Sequence, residues 1–397
     1  MKVIVNGRCI VPNDTGNFVV RDGFAVVFDS LIRAVVPLEY IDRTRVDEVI
    51  DAGGLFVSPG FINVHIHGCG GFDTMDNTPQ ALAEMAKFLP STGVTSFLPT
   101  TMAMPLESVH AVLRRIRREM SKEPASRTRA GVPGTQGEPD ANPRARILGA
   151  NVEGSYISPA YKGAQAESSI RRADFAEIAD FTDVIKIVTV APEELEAGND
   201  FLQRCTEAGI VVSIGHSAAD YDTALKAIRQ GAGHITHLFN AQTGLHHRKP
   251  GIVGAALDTE AVVELIADNI HVHPMLQRLL WRAKAHSQIV LITDSMRACG
   301  MPDGVYELGG QRVTVRGERA LLDDGTIAAS IAPMNRVLAK FRANTGASIP
   351  EVVELVTKNP AAELGIYSRL GSLEAGKSAD IVLFDETFAV HSAYIAN

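Results

Sequence analysis

The stretch Phe61-Ile62-Asn63-Val64-His65-Ile66-His67 is an apolar run, introduced by Ser58-Pro59-Gly60, that closes on two histidines one residue apart. Alternation along a strand puts residues i and i+2 on one face, so as a strand this run points both imidazoles the same way at its C-terminal end. Such a pair can hold a metal, and it can equally be a packed, hydrogen-bonded pair. Acids and histidines recurring at the ends of later strands weigh for the metal.

Downstream, apolar strands and helical segments alternate. The first helix opens at Thr78-Pro79, a cap followed by proline, runs through Leu82, Met85, Ala86 and Leu89, and finishes near Gly93. Further strands are predicted over 95–99, 147–152, 184–190, 210–214, 234–236, 261–266 and 289–293, with helices over 105–123, 200–208, 220–230 and 274–286. Eight strands separated by helical segments predict an α/β chain with a parallel (β/α)8 TIM-like barrel over 59–365. A β-insertion is expected near 304–330, beginning with the alternating run 304–319, and helices over 333–344 and 350–364. Residues 1–58 read as short strands with turns, and 379–384 as a closing strand. The two chain ends, 1–58 and 366–397, are expected to join in one small β-sandwich domain, because either alone would be a short segment with exposed edges. Residues 124–144, rich in Pro, Gly, Ser, Ala and charge, read as loop or disorder.

With 397 residues, 46% apolar and 21% charged, the chain is long enough for a large core and reads as globular. A net charge of −8 argues against nucleic acid or an anionic membrane as the main partner. Cys9, Cys69, Cys205 and Cys299 are scattered and form no CxxC pair, which fits a reducing compartment and suggests neither a disulfide framework nor a zinc knuckle. The N-terminal Met1-Lys2-Val3-Ile4-Val5-Asn6-Gly7 lacks the features of a signal peptide, and no apolar run is long enough to span a membrane, so a cytoplasmic protein is expected.

In such barrels the chemistry sits at the C-terminal ends of the strands. Standing there are His65 and His67 on strand 1, Glu153 on strand 3, His216 on strand 5, His237 on strand 6 and Asp294 on strand 8. Each alone has a plain structural use: Asp294-Ser295, for example, can cap the following helix. Their joint occurrence at one rim points to a site. Glu153, His216 and His237 supply a carboxylate and two imidazoles, a set that leaves a zinc-like ion one position open for water and lowers the pKa of that water from about 15.7 toward about 7. Asp294 is then the candidate base for the water and proton donor to the leaving group. His65 and His67 either complete a second metal site or contact the first. After strand 6, Asn240-Ala241 is followed by His246-His247-Arg248-Lys249, and Arg248 suits bidentate recognition of a phosphate. His271 follows strand 7 and faces the substrate on this reading, whereas His273 starts a helix.

Taken together, these motifs resemble the amidohydrolase superfamily and, within it, the N-acetylglucosamine-6-phosphate deacetylase family. The resemblance rests on Pro59-Gly60-Phe61-Ile62-Asn63-Val64-His65-Ile66-His67-Gly68, Asn151-Val152-Glu153-Gly154, Lys162-Gly163-Ala164, Gly215-His216-Ser217, Thr236-His237-Leu238-Phe239-Asn240-Ala241, Thr293-Asp294-Ser295-Met296, Asp324-Gly325-Thr326-Ile327-Ala328, Asn359-Pro360-Ala361 and Gly376-Lys377-Ser378-Ala379-Asp380. It implies Glu153, His216 and His237 as metal ligands, Asp294 as general acid and base, and His271 as the group polarising an acetamide carbonyl. Arg248 and the backbone at Asn240-Ala241 would form a phosphate site completed across a homodimer. The implied cofactor is one or two divalent ions per subunit, zinc or iron, with His65 and His67 available for the second. The implied reaction is deacetylation of N-acetylglucosamine 6-phosphate. The alternatives are another N-acyl substrate, such as N-acetylgalactosamine 6-phosphate, and a non-catalytic scaffold of the same fold. Ser155, Gln242, Asn269 and Ala329 depart from the family pattern beside the substrate; Asn269 replaces a glycine and tolerates left-handed backbone.

Overall fold

Every residue of Phe61–Ile66 is buried, as a strand covered on both faces must be. The computed structural model describes residues 1–42, 44, 46–121, 129–131 and 143–396. Phe61–Ile66 runs parallel to Val94–Pro99, which pairs on its far side with the stub Arg146–Ile147. Six more parallel strands form one sheet in chain order: Ala150–Tyr156, Ile185–Val190, Val211–Ile214, His234–Ile235, Val262–Ile266 and Ile289–Ile292. The two sheets approach at both edges. Thr100 and Asn151 form a parallel bridge at one. At the other, the Asp294 amide donates to the His65 carbonyl at 3.0 Å, and Asn63 Nδ2 donates to Thr293 Oγ1 at 2.8 Å.

Lower down that second edge the chain at 355–356 intervenes. Ile62 N donates to Val356 O at 2.7 Å and Leu291 N to Leu355 O at 3.1 Å. Those carbonyls are therefore not free for a helix, and the helix expected over 350–364 is divided into Ile349–Glu354 and Lys358–Glu363, with Thr357 between them at φ −132° and ψ −75°. Ser348 starts the first of these with a reciprocal capping box to Glu351.

Other boundaries also move. The first helix begins at Ala81, not Thr78-Pro79, and a 3-10 turn Leu89–Thr92 carries it to Gly93, whose φ of +85° makes the left-handed stop. The third parallel strand starts at Ala150, because Arg146–Ile147 belongs to the neighbouring strand pair. Between the third and fourth strands the described connection holds short 3-10 turns in place of an α-helix. An unforeseen helix, Gly251–Leu257, follows the sixth. The insertion is a three-stranded antiparallel sheet, Gly304–Leu308, Gln311–Arg316 and Arg319–Leu322. His273 caps the helix Pro274–Ala283, its ring accepting from Met275 N. No helix among the described residues is long and apolar enough to cross a membrane.

Both chain ends share a sheet. Lys2–Pro12 pairs antiparallel with Phe18–Phe28 and, on its other edge, runs parallel first to Glu48–Asp51 and then to Phe56–Pro59. Phe56–Pro59 pairs with Ile381–Phe384, and that with Val390–Tyr394. The expected sandwich is thus hydrogen-bonded as one sheet of eight strands. The first strand serves two partners in succession by shifting register around Gly7, where a Cβ would lie 2.4 Å from Val57 Cγ2. Within 124–144, read as loop, Arg129–Gly131 is a strand at the edge of this sheet. Residues 124–128 and 132–142 lie outside those described.

Arg146 ties the chain end to the parallel strands. Its Nη1 donates to Asp380 Oδ2 at 2.9 Å, its Nη2 reaches the Ala396 carbonyl, and the Ala396 amide returns to Asp380 Oδ1 at 2.9 Å. Burial pushes the Asp380 carboxyl above its usual range even with Arg146 beside it. Arg146→Ala leaves that buried acid unpaired. The expected loss is roughly 2 kcal/mol of stability, below the 3–5 kcal/mol of breaking a fully buried pair because the Arg146 side chain is 32% exposed, and a lower midpoint in chemical denaturation checks it.

Candidate active site

Glu153 comes from the third parallel strand, followed by Gly154 at φ +102°, where a Cβ would meet Ala103 N at 2.2 Å. Only glycine lets the chain turn there while leaving the Glu153 side chain aimed inward. Its Oε1 stands 3.0 Å from His237 Nε2 and 3.2 Å from His216 Nε2, and those two nitrogens are 3.1 Å apart. On its other side, His67 Nε2 is 3.3 Å from Oε2 and His65 Nε2 is 3.6 Å from Oε1. Asp294 Oδ1 closes the cluster at 3.2 Å from His67 Nε2 and 3.4 Å from His65 Nε2. The ligand atoms of His65, His67 and Glu153 lie within 4.8 Å of one another, and so do those of Glu153, His216 and His237.

These side chains are aimed by bent backbone just past the strand ends. His216, His237 and Asp294 have φ of +48°, +27° and +45°, a region that costs a non-glycine residue about 1–2 kcal/mol. Bonds across the rim hold two of them, Ser158 N to His216 O at 2.8 Å and Ser330 N to Asp294 O at 2.9 Å, and a local turn from Asn240 N to His237 O at 3.0 Å holds the third. A further set of bonds orients the rings and the carboxylate. His216 Nδ1 meets the Tyr161 carbonyl at 2.9 Å, His65 Nδ1 meets Glu264 Oε2 at 2.9 Å, and Gln165 donates to Glu153 Oε2 at 3.0 Å while accepting from Ala103 N at 2.7 Å.

Burial works to raise Glu153, but the imidazoles of His65 and His216 outweigh it and hold the carboxyl well below the usual range. The same contest, with His65 and His67 against burial, leaves Asp294 low. Burial pulls the His67 imidazolium down, yet hydrogen bonds to Asp294 and Glu153 hold it up at about 9. The cluster therefore demands positive charge. A divalent ion fits: bonds of about 2.0–2.1 Å in tetrahedral array set neighbouring donors about 3.3 Å apart, close to the spacing of Glu153, His216 and His237. The Nε2 of His65 also has no hydrogen-bond partner among the described residues.

A cavity of about 380 Å³ opens beside the cluster, lined by His67, Glu153, His216, His237, Asp294, Asn240, Ala241 and His271, with Thr326, Ile327 and Ala328 beyond the insertion at its wall. His271 Nδ1 bonds Asp268 Oδ2 at 2.7 Å, and the other oxygen of Asp268 accepts the amides of Ile270 and His271. Asn269 takes the left-handed φ of +67° expected of it. Ser155 is held through its hydroxyl by Arg171 Nη2 at 3.1 Å. Arg248 is exposed, lies outside the cavity lining and has its Nη1 2.8 Å from His247 Nε2. The structure thus brings His65, His67, Glu153, His216, His237, Asp294, His271, Asn240 and Ala241 to one place and leaves Arg248 apart from them. Sequence reasoning missed Glu264, Asp268 and Gln165. A lone acid inside the apolar run Val262-Val263-Glu264-Leu265-Ile266 was a signal for the first, and Asp268 three residues before His271 for the second; Gln165 sits in an irregular connection and carried none.

The family model of the amidohydrolase family matches residues 56–396. The chain is 38% identical over 374 residues to N-acetylglucosamine-6-phosphate deacetylase of Bacillus subtilis (strain 168), covering 93% of this chain and 90% of that one. It is 35% identical to N-acetylgalactosamine-6-phosphate deacetylase of Escherichia coli O157:H7, covering 93% and 92%. Among solved structures, N-acetylglucosamine-6-phosphate deacetylase from Thermotoga maritima is 33% identical with a TM-score of 0.82, covering 98% of this chain and 96% of that one. The Pasteurella multocida deacetylase is 28% identical with a TM-score of 0.87, covering 100% and 98%. The chain therefore belongs to the amidohydrolase family and, within it, to the amino-sugar-phosphate deacetylases, hydrolytic enzymes acting on an amide.

Proposed function

We propose that this enzyme removes the acetyl group from N-acetylglucosamine 6-phosphate, giving glucosamine 6-phosphate and acetate in amino-sugar breakdown. The observation that carries it is Glu153 held 3.0–3.2 Å from His216 and His237 at the wall of a cavity that also contains Asp294 and His271. On this reading the eight parallel strands close as a barrel over 59–365, and residues 1–58 and 366–397 form a second domain. Glu153, His216 and His237 would hold one divalent ion, zinc or iron, and His65 and His67 with Glu153 would be available for a second. Four buried cysteines, none in a disulfide, support a reducing, cytoplasmic setting.

When bound, the ion supplies Lewis acidity to a water and to the amide carbonyl. Asp294 is placed to take the proton of that water and return it to the departing amine; backbone bonds from Asp294 N to His65 O and from Ser330 N to Asp294 O keep it at the rim. Asp268 Oδ2 accepts from His271 Nδ1 and fixes the ring at the cavity wall, where it polarises the carbonyl oxygen as negative charge develops there. Asn240 and Ala241 offer backbone to the sugar phosphate, and Arg248, on an exposed turn, completes the phosphate site in a homodimer.

Acetate release from N-acetylglucosamine 6-phosphate, N-acetylgalactosamine 6-phosphate and unphosphorylated N-acetylglucosamine tests the reading. Turnover is expected to be fastest with the first, whereas a higher kcat/KM for the galactosamine ester transfers the assignment to that substrate. Chelator is expected to abolish activity and lower the melting temperature; a chelated protein that keeps both has no metal site here. Arg248→Ala is expected to raise KM for the phosphorylated sugar about 10- to 100-fold, the worth of a charge-assisted bond, and to leave the unphosphorylated sugar unchanged. His271→Ala is expected to cost about 10²–10³ in kcat, and Asp268→Asn a smaller part of the same loss at nearly constant KM.

A further inference from the structure

Glu264 is an acid in the middle of the apolar strand Val262–Ile266, with no exposed surface and no place in the cavity wall. Burying a carboxylate costs several kcal/mol unless it is paired and hydrogen-bonded. Its Oε2 accepts from His65 Nδ1 at 2.9 Å and from the backbone N–H of His237 at 3.0 Å. Its Oε1 stands 3.3 Å from His234 Nε2, and His234 Nδ1 is 3.1 Å from Glu363 Oε1. A line of side chains, Glu363, His234, Glu264 and His65, runs from a partly exposed acid through the strands to the ligand cluster.

The bond to His65 fixes its chemistry. An imidazole that donates through Nδ1 presents a lone pair at Nε2, and that nitrogen faces Glu153 and Asp294 at 3.6 and 3.4 Å. Among the other candidate ligands, His216 leans on a neutral backbone carbonyl, and Nδ1 of His67 and of His237 has no hydrogen-bond partner among the described residues. His65 is thus the candidate ligand oriented by a charged side chain. The same Glu264 oxygen pins the backbone of His237 at its left-handed φ, so one carboxylate spans both ligand trios.

We propose that Glu264 is a positioning residue that sets how tightly the trio of His65, His67 and Glu153 holds its cation, with His234 and Glu363 bracing it from behind. The proposal rests on the two-ion reading above. Replacing Glu264 frees the His65 ring to turn or change tautomer; His237 loses one backbone bond, but its ring keeps Nε2 beside Glu153 and His216, so the larger loss falls on the trio of His65.

The test titrates zinc into the metal-free protein and reads zinc per subunit by elemental analysis, affinities by competition with a chelator, and melting temperature. Wild type is expected to take two ions. Glu264→Leu is expected to keep one and to weaken the other about 10- to 100-fold, the usual cost of losing an outer partner of a ligand histidine. Glu264→Gln, whose carbonyl can still accept from His65 and His237, recovers part of the loss, and Glu363→Gln gives a smaller loss of the same sign. In a His65→Gln background, Glu264→Gln is expected to change zinc affinity less than about 2-fold. If Glu264→Leu does not fold, that pair of Gln variants carries the test. Two ions bound by every variant at wild-type affinity overturn the proposal alone, as does equal weakening of both ions. A wild type that binds one ion overturns the two-ion reading and this proposal with it.

Discussion

Glu153 places a carboxylate, 1% exposed, within 3.0–3.6 Å of imidazole nitrogens from His237, His216, His67 and His65. Those rings come from strands on both sides of it, so the sheets must meet with their C-terminal ends level. The cross-rim bonds from Asp294 N to His65 O and from Ser330 N to Asp294 O are the backbone form of that requirement. A charge shared this way is more than a packing contact: moved by an ångström, Glu153 would lose one trio or the other.

The sequence showed the donors well and their supports poorly, for a physical reason. A polar donor at the end of an apolar run is conspicuous, so His65, His67, Glu153, His216, His237 and Asp294 each stand out as a polar break at a predictable place. Strand cores were legible for the same reason, and their ends moved by only a few residues. Tertiary hydrogen bonding decided the rest. The helix over 350–364 is divided because its carbonyls at 355 and 356 are taken by strands distant in sequence, and the first strand shifts register around Gly7, where any side chain would run into Val57. Neither partner is visible in a local window.

Glu264 is the instructive omission. It interrupts an apolar strand as plainly as Glu153 does, but unlike Glu153 it has no place in the cavity wall. Its meaning depends on His65, 199 residues away, and on His234, which reads locally as the start of a short strand. Arg248 is a different case: a basic turn that follows the strand bearing His237, it stands outside the cavity within one subunit.

Energetics tie these features together. Burying Glu153, Asp294 and Glu264 in one region carries a desolvation cost of several kcal/mol for each uncompensated charge, against a total stability of about 5–15 kcal/mol for a typical domain. The left-handed φ values at His216, His237, Ala241 and Asp294 add about 1–2 kcal/mol each. Imidazolium protons compensate part of this in the free protein, as the high His67 shows. An ion at 1,000 times its dissociation constant returns about 4 kcal/mol, the same order as the backbone strain. Two of those four strained residues, His216 and His237, carry donors that an ion would draw together. Preorganisation of the site and its dependence on a cation are, on these magnitudes, one property.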